Sequence, residues 1–431
     1  KRNAQWELKV MVERKSITFH PSGVEGTIAA PGSKSVTIRA LAAGLLTQGE
    51  TRVLNPSRCD DALVAIEMAE RMGARIRKGS NEMVITGGLK PFAGTLHCGD
   101  SGLAIRLFAA VAGLWEHPVQ FTGDASLQSR PMHDLPLALQ NFGVRVETRQ
   151  GHLPVTVQGP MKGGVADIDG SVSSQYLTGL LMVLPLLNEP SEVRVHGLRS
   201  TPYIDLTISV LKAFGIHIEN HDYRNFTIPG NQEYTGCDHG VEGDWSGAAF
   251  MMVAAALRGR VSVSNLDPQS KQADSRILNA LRAAGAKVSI RSGQVAVQRN
   301  ELRGFDFDMT DCPDLAPPLV ALAAHCTGVS RLIGARRLEV KESSRGKVMV
   351  DEFRKLGVTL GLQDDVLSIE GGRVQGGGTV STHRDHRIAM AASVLALNAE
   401  QPVEVLDPSC VNKSYPDFFR DLKTLGGQIN E

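Results

Sequence analysis

The sequence has no surplus of either charge. Lys and Arg together number 46, as do Asp and Glu, so the formal net charge is zero. A general nucleic-acid or anionic-membrane binder carries a basic excess, so neither class fits. Any anion site must be built by local placement of cations. Zinc-type spacing is also missing. The six cysteines, Cys59, Cys98, Cys237, Cys312, Cys326 and Cys410, are scattered, with no CxxC pair and no Cys/His cluster. Reduced thiols in a cytoplasmic protein are expected. No apolar run reaches the roughly 18 to 20 residues that a membrane span needs. Residues 1–15 alternate charge with apolar side chains and lack a signal-peptide core. No low-complexity linker divides the chain. A P-loop is excluded as well: in Gly32-Ser33-Lys34-Ser35 the lysine follows serine, and the wider glycine spacing fails.

What the chain does contain is repetition. Six short polar or charged clusters each run straight into a small apolar helix, at 32–39, 100–106, 173–175, 244–246, 311–314 and 385–387. Counted from Ser35, Ser101, Ser173, Asp244, Cys312 and Asp385, the steps are 66, 72, 71, 68 and 73. A second series is a helix ending in glycine followed by a strand start, at Gly73, Gly143, Gly215, Gly285, Gly357 and Gly426. Those steps are 70, 72, 70, 72 and 69. Glycine suits the end of a helix because it takes the left-handed conformation without strain. An Asp often opens the same helix, at Asp61, Asp134, Asp205, Asp274 and Asp417.

Strands are expected at 51–54, 82–86, 119–122, 153–157, 192–196, 261–263, 294–297, 366–369 and 403–406. Each unit of about 70 residues therefore reads β-α-β-α-β-β. Solenoid repeats are typically shorter, at about 20 to 50 residues. Six such units point to compact α/β domains of three repeats each. The chain is expected to cross between them near Gly32 and near Gly243.

The helices are apolar on nearly all sides, so they should be buried, and their polar starts then need a reason. A helix start offers free N–H donors and the positive end of a dipole, which suits an anion. Ser35 is the expected N-cap of the first helix, with Lys34 and Arg39 adding cations. For one segment alone, an ordinary capped helix with solvated charges is the better reading. Arg384-Asp385-His386-Arg387 puts four ionisable residues just before an apolar helix. Burying them unpaired is costly, so they serve one another, a ligand or a solvated cleft. Lys341-Glu342-Ser343-Ser344-Arg345 is either part of a site or a solvated helix face. Asp314 is either a general base or a simple cap. Together with Arg106, Arg130 and Lys413, these clusters place cations repeatedly at helix starts, as a binder of small polyanions would. Arg matches carboxylate and phosphate through its planar fork.

These residues carry a family likeness. Pro31-Gly32-Ser33-Lys34-Ser35 with Arg39, Gly170-Ser171-Val172-Ser173-Ser174-Gln175, and Pro202-Tyr203-Ile204-Asp205 resemble the enolpyruvyl transferases. So do Lys341-Glu342 with Arg345, Asp385-His386-Arg387, and Asp407-Pro408 through Lys413-Ser414-Tyr415-Pro416-Asp417. The likeness runs from about residue 27 to 421 and is strongest to the branch that acts on shikimate 3-phosphate. It implies a two-domain inside-out α/β barrel of six βαβαββ repeats, with buried helices pointing their starts at an interdomain cleft. Domain I would combine 1–31 with 244–431, and domain II would span 32–243.

The implied reaction moves the enolpyruvyl group of phosphoenolpyruvate onto the 5-hydroxyl of shikimate 3-phosphate and releases phosphate. It proceeds by addition and elimination through a tetrahedral intermediate. By resemblance, Ser35, Arg39, Ser173, Ser174, Ser200, Tyr203 and Lys341 would hold shikimate 3-phosphate. Lys34, Arg130, Gln175, Arg345, Arg387 and Lys413 would hold phosphoenolpyruvate, and Gly102, in the substrate site, would leave room for glyphosate, which mimics the phosphoenolpyruvate state in this family. Asp314 would take the hydroxyl proton. Glu342 with Lys34 would manage protonation of the methylene carbon, and His386 would neighbour that chemistry. No metal or other cofactor is implied, and a cytoplasmic monomer without nucleic-acid or membrane partners is expected.

Four positions depart from the family pattern: Asp100-Ser101-Gly102-Leu103 where Asn-Ala-Gly-Thr is usual, Leu107 for proline, Ser344 for an acid, and Arg337 for asparagine. The alternative acceptor is UDP-N-acetylglucosamine, but that branch usually has a loop cysteine and residues 115–130 have none. From another class, a non-catalytic small-anion binder would gain nothing from Asp314, Glu342 and His386.

Overall fold

A computed structural model describes residues 16–430 except 172 and 292. Residues 1–15, read above as lacking a signal-peptide core, lie outside the described residues. The chain divides into two compact units. One is Gly32–Val241, and the other joins the stretch ending at Pro31 to that beginning at Glu242.

The described residues form six four-stranded sheets, three per unit. All six share one plan, in which the first two strands pair parallel and the next two join antiparallel. In the Gly32–Val241 unit, Gly94–His97 pairs parallel with Val119–Thr122, then His152–Gln158 and Arg145–Arg149 follow antiparallel. The same order runs from Val165–Asp169 through Ser191–His196 and Asn225–Ile228 to Glu219–His221. In the other unit it runs from Asp306–Asp308 through Gly328–Ile333 and Val366–Gly371 to Thr359–Gln363. The parallel pairs need a crossover, which a helix supplies.

The plan is kept at the chain's crossings by exchanging one strand. Val24–Ala29 precedes the first buried helix, yet it pairs with Gly259–Ser264 in the second unit. Asp238–Gly240 precedes the fourth buried helix but pairs with Glu50–Leu54 in the first. The sixth sheet is completed by the beginning of the chain, because Ser16–His20 lies between Val403–Leu406 and Gln428–Asn430.

The six apolar helices are Lys34–Leu46, Gly102–Ala112, Gln175–Val183, Trp245–Arg258, Ala316–Ala323 and His386–Ala396. They are buried almost all round. In the second unit its three pack on one another, and each lies on a sheet. Full burial of one Leu or Ile side chain contributes about 1.5–3 kcal/mol. Side chains such as Leu41, Ile105, Leu180, Leu319 and Ile388 are all buried and make these helices the core. The glycines of the second series all have positive φ: 121° at Gly73, 79° at Gly143, 82° at Gly215, 99° at Gly285, 83° at Gly357 and 106° at Gly426.

Two local expectations need correction. Ser35 is not the first N-cap. Ser33 is, with extended backbone and a hydroxyl that accepts from Val36 N, so Lys34 already lies in the helix. The Asp residues of the repeat do not all open their helices either. Asp205 sits inside Thr201–Ala213, which opens after Ser200 and has Pro202 in its first turn. Asp61 follows Cys59 and Asp60.

Candidate active site

In the Gly32–Val241 unit the first helix carries Lys34, Ser35 and Arg39 in its first two turns. Lys34 Nζ is 2.9 Å from Asp61 Oδ2, and the two side chains are only 16% and 7% exposed. Asp61 therefore aims the ammonium. Arg39 is 1% exposed. Its Nε donates to Thr207 Oγ1 at 2.9 Å and its Nη1 to the Ser35 carbonyl at 3.0 Å. Nη2 donates to Thr178 Oγ1 at 3.5 Å and to the Tyr203 carbonyl at 3.3 Å. Among the described residues these partners are neutral oxygens. Burial without a carboxylate pulls the Arg39 pKa down to about 10, and an arriving anion would relieve that.

The second and third helices add a cationic corner. Arg106 Nη1 donates to the Gly102 carbonyl at 3.0 Å and to Gln175 Oε1 at 3.1 Å. Its guanidinium lies 5.0 Å over the Tyr176 ring, and its buried Nε has no partner among the described residues. Gly102 is where both arginines converge. A Cβ there would lie 2.7 Å from Arg106 Nη1 and 2.8 Å from Arg130 Nη1. Ser173 Oγ accepts from Gln175 N at 3.2 Å at the start of the third helix, and Ser174, buried beside it, is the N-cap residue. Ser200 has left-handed backbone, φ 58°, just before the Thr201–Ala213 helix that carries Tyr203. Asp100, the departure from the family's asparagine, is turned to structure, since its Oδ1 accepts from Leu127 N at 3.1 Å.

In the second unit one carboxylate is held by three cations. Asp314 Oδ1 lies 2.9 Å from Arg345 Nη1 and 3.2 Å from Lys341 Nζ, and Oδ2 lies 3.2 Å from Arg387 Nη2. Burial alone would raise its pKa, but Arg387, Lys341 and Arg345 hold it well below the usual carboxylate range. Arg345 is fully buried and also reaches Glu342 Oε2 at 2.5 Å and Asp385 Oδ2 at 2.9 Å. Its fork thus joins three carboxylates. Asp385 caps the sixth helix by accepting from Arg387 N at 3.0 Å. His386 is fully buried, with Nδ1 3.9 Å from Asp385 Oδ1, too far for a hydrogen bond. Arg387 Nη1 is buried and has no partner among the described residues. Lys413 is 7% exposed at the end of the Pro408–Lys413 turn.

The structure thus places Lys34, Ser35, Arg39, Gly102, Arg130, Ser173, Ser174, Gln175, Ser200 and Tyr203 in one unit. Asp314, Lys341, Glu342, Arg345, His386, Arg387 and Lys413 lie in the other. Sequence reasoning gave Asp61 and Asp274 only a helix-opening role and singled out no site role for Asp385. Asp274 is buried, accepts from Ser246 Oγ, and is pushed up to about 6 by burial and by Asp314. The signal that could have found Asp61 and Asp274 is their shared repeat position, opposite a buried-helix start. Among the described residues, no three His, Cys, Asp or Glu side chains gather to hold a metal ion. No described helix is long and apolar enough to cross a membrane.

Buried helix starts, clustered cations and interleaved carboxylates on six α/β repeats mark a protein that handles small anions. The profile of the EPSP synthase (3-phosphoshikimate 1-carboxyvinyltransferase) family matches residues 19–422, and the chain belongs to that family. It is 35% identical to a 3-phosphoshikimate 1-carboxyvinyltransferase of Clostridium kluyveri, covering 97% of this chain and 99% of that one. It is 38% identical to the protein of the same name from Aeropyrum pernix, covering 96% of each. The solved EPSP synthase of Acinetobacter baumannii superposes with a TM-score of 0.82 at 27% identity, covering 97% of this chain and 99% of that one.

Proposed function

We infer that the chain transfers the enolpyruvyl group of phosphoenolpyruvate to the 5-hydroxyl of shikimate 3-phosphate and releases phosphate. The observation that carries the residue-level reading is the clasp of Asp314 by Arg387, Arg345 and Lys341, with Glu342 on the same Arg345. Pure anion binding has no use for carboxylates among its cations, whereas an addition and elimination needs both a base and an acid.

Ser35, Arg39, Ser173, Ser174, Ser200, Tyr203 and Lys341 hold shikimate 3-phosphate. Lys34, Arg130, Gln175, Arg345, Arg387 and Lys413 hold phosphoenolpyruvate. Asp314 accepts the proton of the attacking hydroxyl. A carboxylate clasped by three cations is a weak base. Substrate phosphate and carboxylate groups draw Lys341 and Arg387 toward themselves, and the basicity of Asp314 rises when the reaction needs it. Glu342 and Lys34 deliver and remove the proton at the methylene carbon, and His386 borders that step. The cations stabilise the charge that develops in the tetrahedral intermediate. The two compact units serve as the two domains of the enzyme, which acts as a cytoplasmic monomer without nucleic-acid or membrane partners.

The test is phosphate release from phosphoenolpyruvate with shikimate 3-phosphate, with UDP-N-acetylglucosamine, or with no acceptor. Release with shikimate 3-phosphate alone is expected. Release with UDP-N-acetylglucosamine instead, or silence from a folded protein with every acceptor, would overturn the assignment.

A further inference from the structure

The segment 381–384 links the Thr379–Val380 strand to the helix carrying Asp385, His386 and Arg387. His383 has φ 50° and Arg384 has φ 58°, both left-handed. Non-glycine residues take this conformation at a cost and keep it only where surroundings impose it. One other adjacent pair occurs among the described residues, Asp222–Tyr223. That pair forms the tight hairpin between Glu219–His221 and Asn225–Ile228, where positive φ is favoured. No hairpin makes that demand at His383–Arg384.

The restraint comes from Glu352, in the Arg345–Arg354 helix. It is 4% exposed. Its Oε2 accepts from Ser381 N at 2.8 Å and from Lys355 Nζ at 2.6 Å. Its Oε1 lies 3.1 Å from His383 Nε2. Within the segment, Asp385 N donates to the Thr382 carbonyl at 2.8 Å. Glu352 stands seven residues after Arg345, two turns along the same helix face. Arg345 in turn donates to both oxygens of Asp385. One helix therefore grips both ends of the segment, by a carboxylate at Ser381 and His383 and by a guanidinium at Asp385.

We propose that Glu352 is a positioning residue that locks the left-handed His383–Arg384 turn and so fixes the aim of His386 and Arg387. A small misplacement of such groups is felt strongly in turnover. The inference rests on the assignment of Arg387 to phosphoenolpyruvate, and that assignment has its own arm in the experiment.

The experiment uses the full chain. Phosphate release gives kcat and the KM for phosphoenolpyruvate, calorimetry gives the Kd for shikimate 3-phosphate, and thermal melting reports the fold. Glu352→Ala should lower kcat about tenfold or more and raise the KM about threefold, leaving the shikimate 3-phosphate Kd within about twofold. Adding Arg384→Gly should restore part of kcat, because glycine takes positive φ freely. Arg384→Val serves if Glu352→Ala fails to fold. Arg384 is exposed, yet a β-branched residue is badly placed there, so kcat should again fall about tenfold with the fold intact. Either variant folded and within about threefold of wild-type kcat would overturn the proposal. So would parallel losses in kcat, shikimate 3-phosphate affinity and melting temperature, which mark a merely structural residue. Arg387→Ala with an unchanged KM would instead overturn the underlying assignment.

Discussion

Arg387 Nη2 donates to Asp314 Oδ2 at 3.2 Å, while Asp314's other oxygen is shared by Arg345 and Lys341. The proposed base is thus ionised and pre-aimed. The partners that keep it ionised are the groups assigned to substrate, so binding and activation are one event.

Lys34 and Asp61 are coupled in both stability and turnover. Lys34→Met should reduce kcat ~100-fold or more. It also takes an ion-pair partner from a nearly buried carboxylate, Asp61, 7% exposed, so the melting temperature should drop. Adding Asp61→Asn should restore the melting temperature but not kcat. Turnover within about tenfold of wild type, about 1.4 kcal/mol of barrier, would remove Lys34 from the site.

Arg345→Lys should not behave as a conservative change. An ammonium cannot reach Asp314, Glu342 and Asp385 with one rigid fork. Removing a buried ionic partner costs about 3–5 kcal/mol, and urea denaturation should show a loss of that order along with the loss of activity.

Gly102→Ala should act on one substrate. The new Cβ displaces the Arg106 and Arg130 guanidinia, whose flexible ends can move. The fold should survive. The KM for phosphoenolpyruvate should rise about tenfold, with little change in shikimate 3-phosphate affinity by calorimetry.

His325 should make the second unit acid-labile. Its Nε2–H donates to the Leu395 carbonyl at 3.1 Å, and its Nδ1 accepts from Asn398 Nδ2 at 3.2 Å. Asn398 Oδ1 in turn accepts from Arg258. Protonation at Nδ1 destroys that acceptor, and burial pulls the pKa from 6.5 to about 4. The folded protein then binds fewer protons than the unfolded chain between these values. This contribution is complete above about pH 6.5 and is lost as pH falls toward 4, up to about 3 kcal/mol. Denaturation curves from pH 7 to 4 should show it, and His325→Gln should flatten the slope.

Much of the fold was legible because it repeats. Strands 82–86, 119–122 and 403–406 fall where they are expected, and the six helix-ending glycines reveal themselves by spacing. The short parallel strands, such as Asp306–Asp308 and Thr379–Val380, were not legible. Two or three residues carry no periodicity, and only pairing with a distant neighbour makes them strands. Cation placement at helix starts could be read from sequence, but carboxylate partnership could not. Nothing local links Glu352 to His383 or Asp61 to Lys34, since those contacts depend on how whole helices pack.

The most direct test is Asp314→Asn, measured twice: kcat by phosphate release, and the shikimate 3-phosphate Kd by calorimetry. Asparagine keeps the shape and removes the base. A kcat loss of ~100-fold or more is expected, with Kd changed by less than about threefold. A Kd that weakens as much as kcat falls would contradict this role and make Asp314 a binding residue.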